Sequence, residues 1–177
     1  MMQFMKRLSR ALRREEGTST IEFVLCIPAF MTIFMMSMES GMFMVKSVLL
    51  DRAVDLTIRE LRLGHYVNPT SDLLKQEICD RSVILSECET SIMLELVPIS
   101  QTTWAMPATR VTCIDRDAAI QPLVTMDVGS NNEIMLVRAC VLVKAIFPST
   151  GLGEKLMYGP GGEIGMISVS AFVNEPS

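Results

Sequence analysis

Few side chains in this sequence are placed for chemistry. The sole histidine, His65, stands between Gly64 and Tyr66, where favourable contact with a helix C-terminal dipole is its ordinary role. Asp115-Arg116-Asp117 offers two carboxylates for general acid–base work, but the arginine between them fits a solvated turn better. Gly159-Pro160-Gly161-Gly162 resembles a phosphate-cradling loop by glycine count alone and fits a turn before a strand. No Gly-x-Ser-x-Gly, P-loop or dinucleotide fingerprint occurs, so the chain is expected to be no enzyme and to need no cofactor. Two groups remain. Cys79, Cys88, Cys113 and Cys140 can form disulfides, and Glu22 places a carboxylate where the surrounding residues are apolar.

Glu22 acquires meaning from the element that carries it. From Phe23 to Met38 the chain runs 16 residues without a charge, ended by Glu39 and Lys46. As a helix that run covers about 24 Å, and adding Thr18–Ile21 brings it to roughly 30 Å, the thickness of a bilayer core. A buried helix of a soluble protein has the same composition, but it has no need of Lys6, Arg7, Arg10, Arg13 and Arg14 just upstream. The sequence therefore predicts a single transmembrane helix with the basic end in the cytoplasm and residues from about 40 onward outside. A cleaved secretory signal has the same general plan. Against it stand the length of the run and the absence of an Ala-x-Ala-like site in Glu39–Lys46. A charge in hydrocarbon costs on the order of 2.5–3.5 kcal/mol, so Glu22 requires a partner, protonation or a place near the interface.

The whole chain has 177 residues, 49% hydrophobic and 20% charged, with a net charge of -4. That length suits one domain, the apolar content excludes a disordered chain, and the acidic balance argues against nucleic acid as a partner. Beyond the apolar run the helical period continues. Leu50, Val54, Ile58 and Leu61 fall on one face, with Asp51, Asp55, Arg59 and Arg62 on another. A helix from Thr18 to Leu63 is predicted, with Pro28 and Gly41 as kinks or unwinding points and Gly64 as its stop. Thr70-Ser71-Asp72 caps a second helix to about Leu85. Strands are predicted over Ser91–Val97, ended by Pro98, over Glu133–Phe147, stopped by Pro148, and over Ile164–Val173. Ile167, Val169, Ala171 and Val173 are expected to face inward on the last. The expected fold class is α+β, a long N-terminal transmembrane and spine helix with a small antiparallel sheet head. The expected divisions are a basic leader 1–17, a transmembrane helix 18–40, an amphipathic continuation 41–63 and an external head 64–177.

Cys26 in the apolar run is expected to be a small filler, whereas the four external cysteines favour two disulfides in an oxidising compartment. Three pairings are possible. Cys79 with Cys88 closes a short loop, and Cys113 with Cys140 ties irregular chain to the long strand, so this pairing is preferred. A continuous helix would hold Cys79 and Cys88 about 13.5 Å apart, so the first bridge demands a break between them. Cys-x8-Cys and Cys-x26-Cys match no usual zinc spacing, and no metal is expected.

The basic leader, Gly17, Glu22 at the fifth position after it, Phe23 and the apolar helix resemble a type IV prepilin processing site. The Gly-x-x-x-x-Glu-Phe form is similar to that of Flp pilins of the tight adherence (Tad) system. With Glu16–Leu25, Pro28 and a large cysteine-bearing head, the chain resembles the TadE/TadF minor pseudopilins, most strongly over residues 14–40; the closing Phe172–Pro176 is also similar. The resemblance implies cleavage between Gly17 and Thr18 by a membrane prepilin peptidase. It further implies that Glu22, beside Phe23, pairs with the freed amine of a neighbouring subunit during assembly. The implied partners are the peptidase, other pilins and pseudopilins, Tad inner-membrane assembly proteins and the membrane itself. The implied location is the bacterial inner membrane, with a cytoplasmic N-terminus, a pilin-like periplasmic head and incorporation into a surface pilus as a further possibility. The implied role is structural, in pilus assembly and adhesion. Thr18 differs from the phenylalanine that begins many mature type IV pilins. The rival reading is a signal-anchored periplasmic binding or scaffold module, not processed as a pilin, with Glu22 a bystander.

Overall fold

The computed structural model describes residues 18–107, 111, 113–114, 124–149, 151–156 and 162–175. Helix α1, Thr18–Arg62, is followed by α2, Ser71–Arg81, and a single turn α3, Cys88–Ser91. Strands β1, Ile92–Ile99, and β2, Ile134–Lys144, precede a short helix α4, Gly151–Leu156, and strand β3, Glu163–Val173. The sheet is antiparallel in the order β1-β2-β3, so β2 lies at its centre. The fold is thus a long apolar helix followed by a small antiparallel sheet, an α+β layout.

The 45 residues of α1 form one assigned helix that passes Pro28 and Gly41 without unwinding at either. Proline removes a single N–H from the ladder, and the flanking turns of a long helix remain helical around it. The helix ends at Arg62, one residue short of expectation, because the chain reverses in a Schellman motif. His65 N–H donates to the Glu60 carbonyl, Gly64 N–H to that of Leu61, and Gly64 holds φ +70°. The contribution of His65 to this helix end therefore includes its main chain.

Above residue 49, α1 buries Leu50, Ala53, Val54, Thr57 and Ile58, spaced three and four apart, against the sheet and α2. Met135, Val137, Ala139, Val141 and Val143 of β2 meet this face. Thr70 caps α2 by accepting the Leu73 N–H. That helix stops at Arg81 rather than near Leu85. Ser82 folds its hydroxyl and N–H back onto the Ile78 and Cys79 carbonyls, and Glu87 turns at φ 57°. The break brings the next cysteine back beside α2.

Three strand expectations are corrected. Strand β1 starts at Ile92 and runs through Pro98 to Ile99. The Leu96 N–H points away from β2, to the Thr125 carbonyl, so by the two-residue period the Pro98 nitrogen faces that same outer edge. Strand β2 covers Ile134–Lys144 and ends before Pro148, because the N–H groups of Ile146 and Phe147 are taken by the Glu39 carboxylate. On β3 the inward residues are Ile164, Met166, Ser168 and Phe172; Ile167 and Val169 are 51% and 56% exposed, and Val173 is exposed too. Alternation alone left the parity open. Pairing decides it, since Val141 stands opposite Met166 and Met135 opposite Phe172, which forces those partners onto the helix side.

The second face of β2 is also buried. Cys140 and Leu142 pack with Cys113, Val111 and Ile114. Arg138 on that face is buried and paired with Glu95 across the strands. A central strand covered on both sides needs a paired charge there rather than a free one.

Candidate functional site

The side chains that could act on something outside the molecule lie along α1. From Ile21 to Met38 the helix surface is almost wholly exposed: Phe23, Val24, Leu25, Phe30, Ile33 and Phe34 are each at least half uncovered. Phe30 and Phe34, one turn apart, stack with ring centroids 6.5 Å apart. Apart from the place where α4 meets Met36, this segment is uncovered by the described residues, and α1 is long and apolar enough to cross a membrane. An exposed apolar surface of this extent marks contact with lipid or another protein.

Glu22 and Phe23 are exposed on this same surface, and Glu22 has no partner among the described residues. Thr18 is the first helical residue, while Gly17 lies outside the described residues, as do Asp115–Asp117 and Gly159–Gly161. The structure brings Cys79 to Cys88, with Cα atoms 5.6 Å apart, and Cys113 to Cys140, 5.2 Å apart, each pair bonded. The first bridge joins α2 to α3. The second fastens the Cys113 segment over β2. Cys26 is free and exposed on the apolar helix. Among the described residues no group of three His, Cys, Asp or Glu could hold a metal ion.

Two polar clusters lock the head onto the helix, and sequence reasoning missed both. At the far end, Arg81 bridges Glu60 at 2.7 Å and Glu77 at 3.0 Å, and Tyr66 donates to Glu60 at 2.9 Å. Burial of the Tyr66 phenol, then its bond to Glu60, pushes its pKa up to about 12; the bonds to Glu60 and Glu77 raise that of Arg81. At the near end, Glu39 is buried, and its carboxylate accepts from Ile146 N–H at 3.0 and 3.1 Å and from Phe147 N–H at 2.9 Å. The available signal was that Glu39 alone bears charge between Glu22 and Lys46; in the sequence it serves only to end the apolar run.

A family model described as TadE-like protein matches residues 17–59. The chain carries a TadE-like segment. The match begins at Gly17, takes in the exposed apolar surface and Glu22, and ends inside the part of α1 that packs under the sheet. No curated protein and no solved structure matches the chain. The TadE-like segment therefore corresponds to nearly all of α1, and the disulfide-bonded head lies beyond it.

Proposed function

We propose that this chain is a structural minor pseudopilin of a Tad/Flp-type pilus, cleaved by prepilin peptidase after Gly17. The mature N-terminus is then Thr18, and the apolar half of α1 lies in the bacterial inner membrane with the head in the periplasm. The observation that carries the reading is the TadE-like match, which opens at Gly17 and runs along a helix whose N-terminal half is apolar and almost wholly exposed. Glycine suits the residue before the cut, because a peptidase must hold the backbone extended and close, and a missing Cβ permits both. Glu22 supplies the charge that a neighbouring subunit's new amine neutralises as the helices assemble, and such a pair in low dielectric is favourable only with both members present. The chain works by helix packing and presentation of its head, with no reaction of its own. Its partners are the peptidase, the other pilins and pseudopilins, and the assembly proteins of the inner membrane.

N-terminal sequencing and intact mass of the protein extracted from pilus-forming cells test this. The expected mature chain starts at Thr18, Gly17→Val retains Met1, and Glu22→Ala is cleaved yet supports few pili. A wild-type chain that retains Met1, or is cut near residue 45, is instead the anchored or secreted module. Undiminished piliation with Glu22→Ala removes the docking role.

A further inference from the structure

We infer that residues 145–149 and 151–156, in the connection between β2 and β3, form a seat that rests on the outer surface of the bilayer, held there by Glu39. The inference rests on the reading of α1 as a membrane helix and adds a second lipid contact to it. The fully buried core of the head begins on α1 at Leu50, with half-buried Phe43 packed against it about 6 Å beyond Glu39. A head confined to that core would end above Glu39. Instead the chain leaves β2 at Lys144 and descends along α1, where Glu39 fixes it through the N–H groups of Ile146 and Phe147. Helix α4 then packs beside Met36, three residues or about 4.5 Å further toward the membrane.

The depth follows from the sequence of α1. Met38 ends the uncharged run and Glu39 is the first charge after it, so a bilayer that accommodates the run places Glu39 at headgroup level. Whatever Glu39 holds is then at that level too, and α4 touches the edge of the hydrocarbon. The connection is built for such a place. Ile146 is 44% and Leu156 39% exposed, although neither contributes to the core of the head, while Glu154 and Lys155 beside Leu156 are exposed to the headgroup and water layer. The unpaired N–H groups of a turn would be costly beside lipid, and the Glu39 carboxylate satisfies two of them. Two glycines allow the close fit. Gly151 has φ +27° and a Cβ on it would strike the end of Met36, while a Cβ on Gly153 would strike the carbonyl oxygen of Phe147, which cannot rotate away.

Tryptophan fluorescence of the full chain in phosphatidylcholine vesicles, quenched by lipids brominated at shallow or deep acyl positions, tests the seat. Trp104, the only tryptophan, is first replaced by phenylalanine, and single probes are then placed by Ile146→Trp, Leu156→Trp and Phe34→Trp. Ile146→Trp and Leu156→Trp are expected to lose emission to shallow bromines more than to deep ones, and Phe34→Trp to deep ones. Adding Glu39→Ala is expected to reduce the loss at Ile146→Trp without altering it at Phe34→Trp. Glu39→Gln, which keeps a carbonyl acceptor, is expected to fall between, and circular dichroism reports whether the head remains folded. If Phe34→Trp is quenched while both connection probes keep their emission, the seat is refuted and the membrane helix stands. If Phe34→Trp also escapes quenching, the membrane reading fails and takes the seat with it.

Discussion

The two halves of α1 share one backbone and face different solvents. Residues 21–38 have no fully buried side chain and, apart from the place where α4 meets Met36, expose Phe, Leu, Ile and Met around the helix. Residues 50–61 restrict their apolar side chains mainly to one stripe and leave Asp51, Arg52, Asp55 and Arg59 outside. The lower half has no inward face because its apolar requirement is met by surroundings the chain does not supply. The upper half has one because the sheet supplies it. Where a helix carries apolar residues all round, the medium stabilises it; where it carries a stripe, the fold does.

The same substitution should therefore destabilise the head in the upper half and leave it unchanged in the lower half. The largest effect is expected for Val54→Asp, which puts an unpaired charge at a fully buried position between helix and sheet. It should cost more than about 4 kcal/mol and unfold the head, seen as loss of cooperative thermal unfolding by circular dichroism, with membrane extraction unchanged. A head that still unfolds at the wild-type temperature breaks the comparison. A smaller effect is expected for Leu50→Ala, which leaves a cavity in the core and should lower head stability by about 2–4 kcal/mol in denaturant unfolding. Leu25→Ala, the same deletion on the exposed half, should leave the head's midpoint where it was.

The smallest effect sharpens the account of the upper half. Burial and the bond to Glu60 raise Tyr66 from 10.0 to about 12, so the folded head holds that proton where the unfolded chain has released it. Its contribution to stability is complete below pH 10 and declines as pH rises toward 12. Tyr66→Phe should flatten that part of the profile in thermal melts across the alkaline range, and a slope unchanged by the substitution would remove Tyr66 as its source.

Much of this was legible in advance wherever a local rule acted alone. The uncharged run, the three- and four-residue spacing from Leu50 to Leu61, the Thr70 cap and the Gly64 stop each follow from a few neighbouring residues. The failures occurred where a distant partner decided. Ile164–Val173 has apolar residues on both parities, and only pairing with β2 selects Met166 and Phe172 for the inside. That Arg138 is enclosed and paired with Glu95 depends on the neighbouring strand and on the cover of that face by the Cys113 segment. Glu39 looked like the end of a hydrophobic run, and its bond to residues more than a hundred positions away could not be read from either stretch.

The sequence by itself determined that this chain has an apolar helix long enough for a bilayer, a processing-like Gly17 to Glu22 spacing and a cysteine-bearing α+β head. Period, charge and length are properties of consecutive residues, and water or lipid acts on them directly. Tertiary structure alone decided which face of β3 is buried, which charges are enclosed and how far down α1 the head reaches. Those outcomes depend on hydrogen bonds and packing between segments far apart in the chain, whose geometry exists only once both have been brought together.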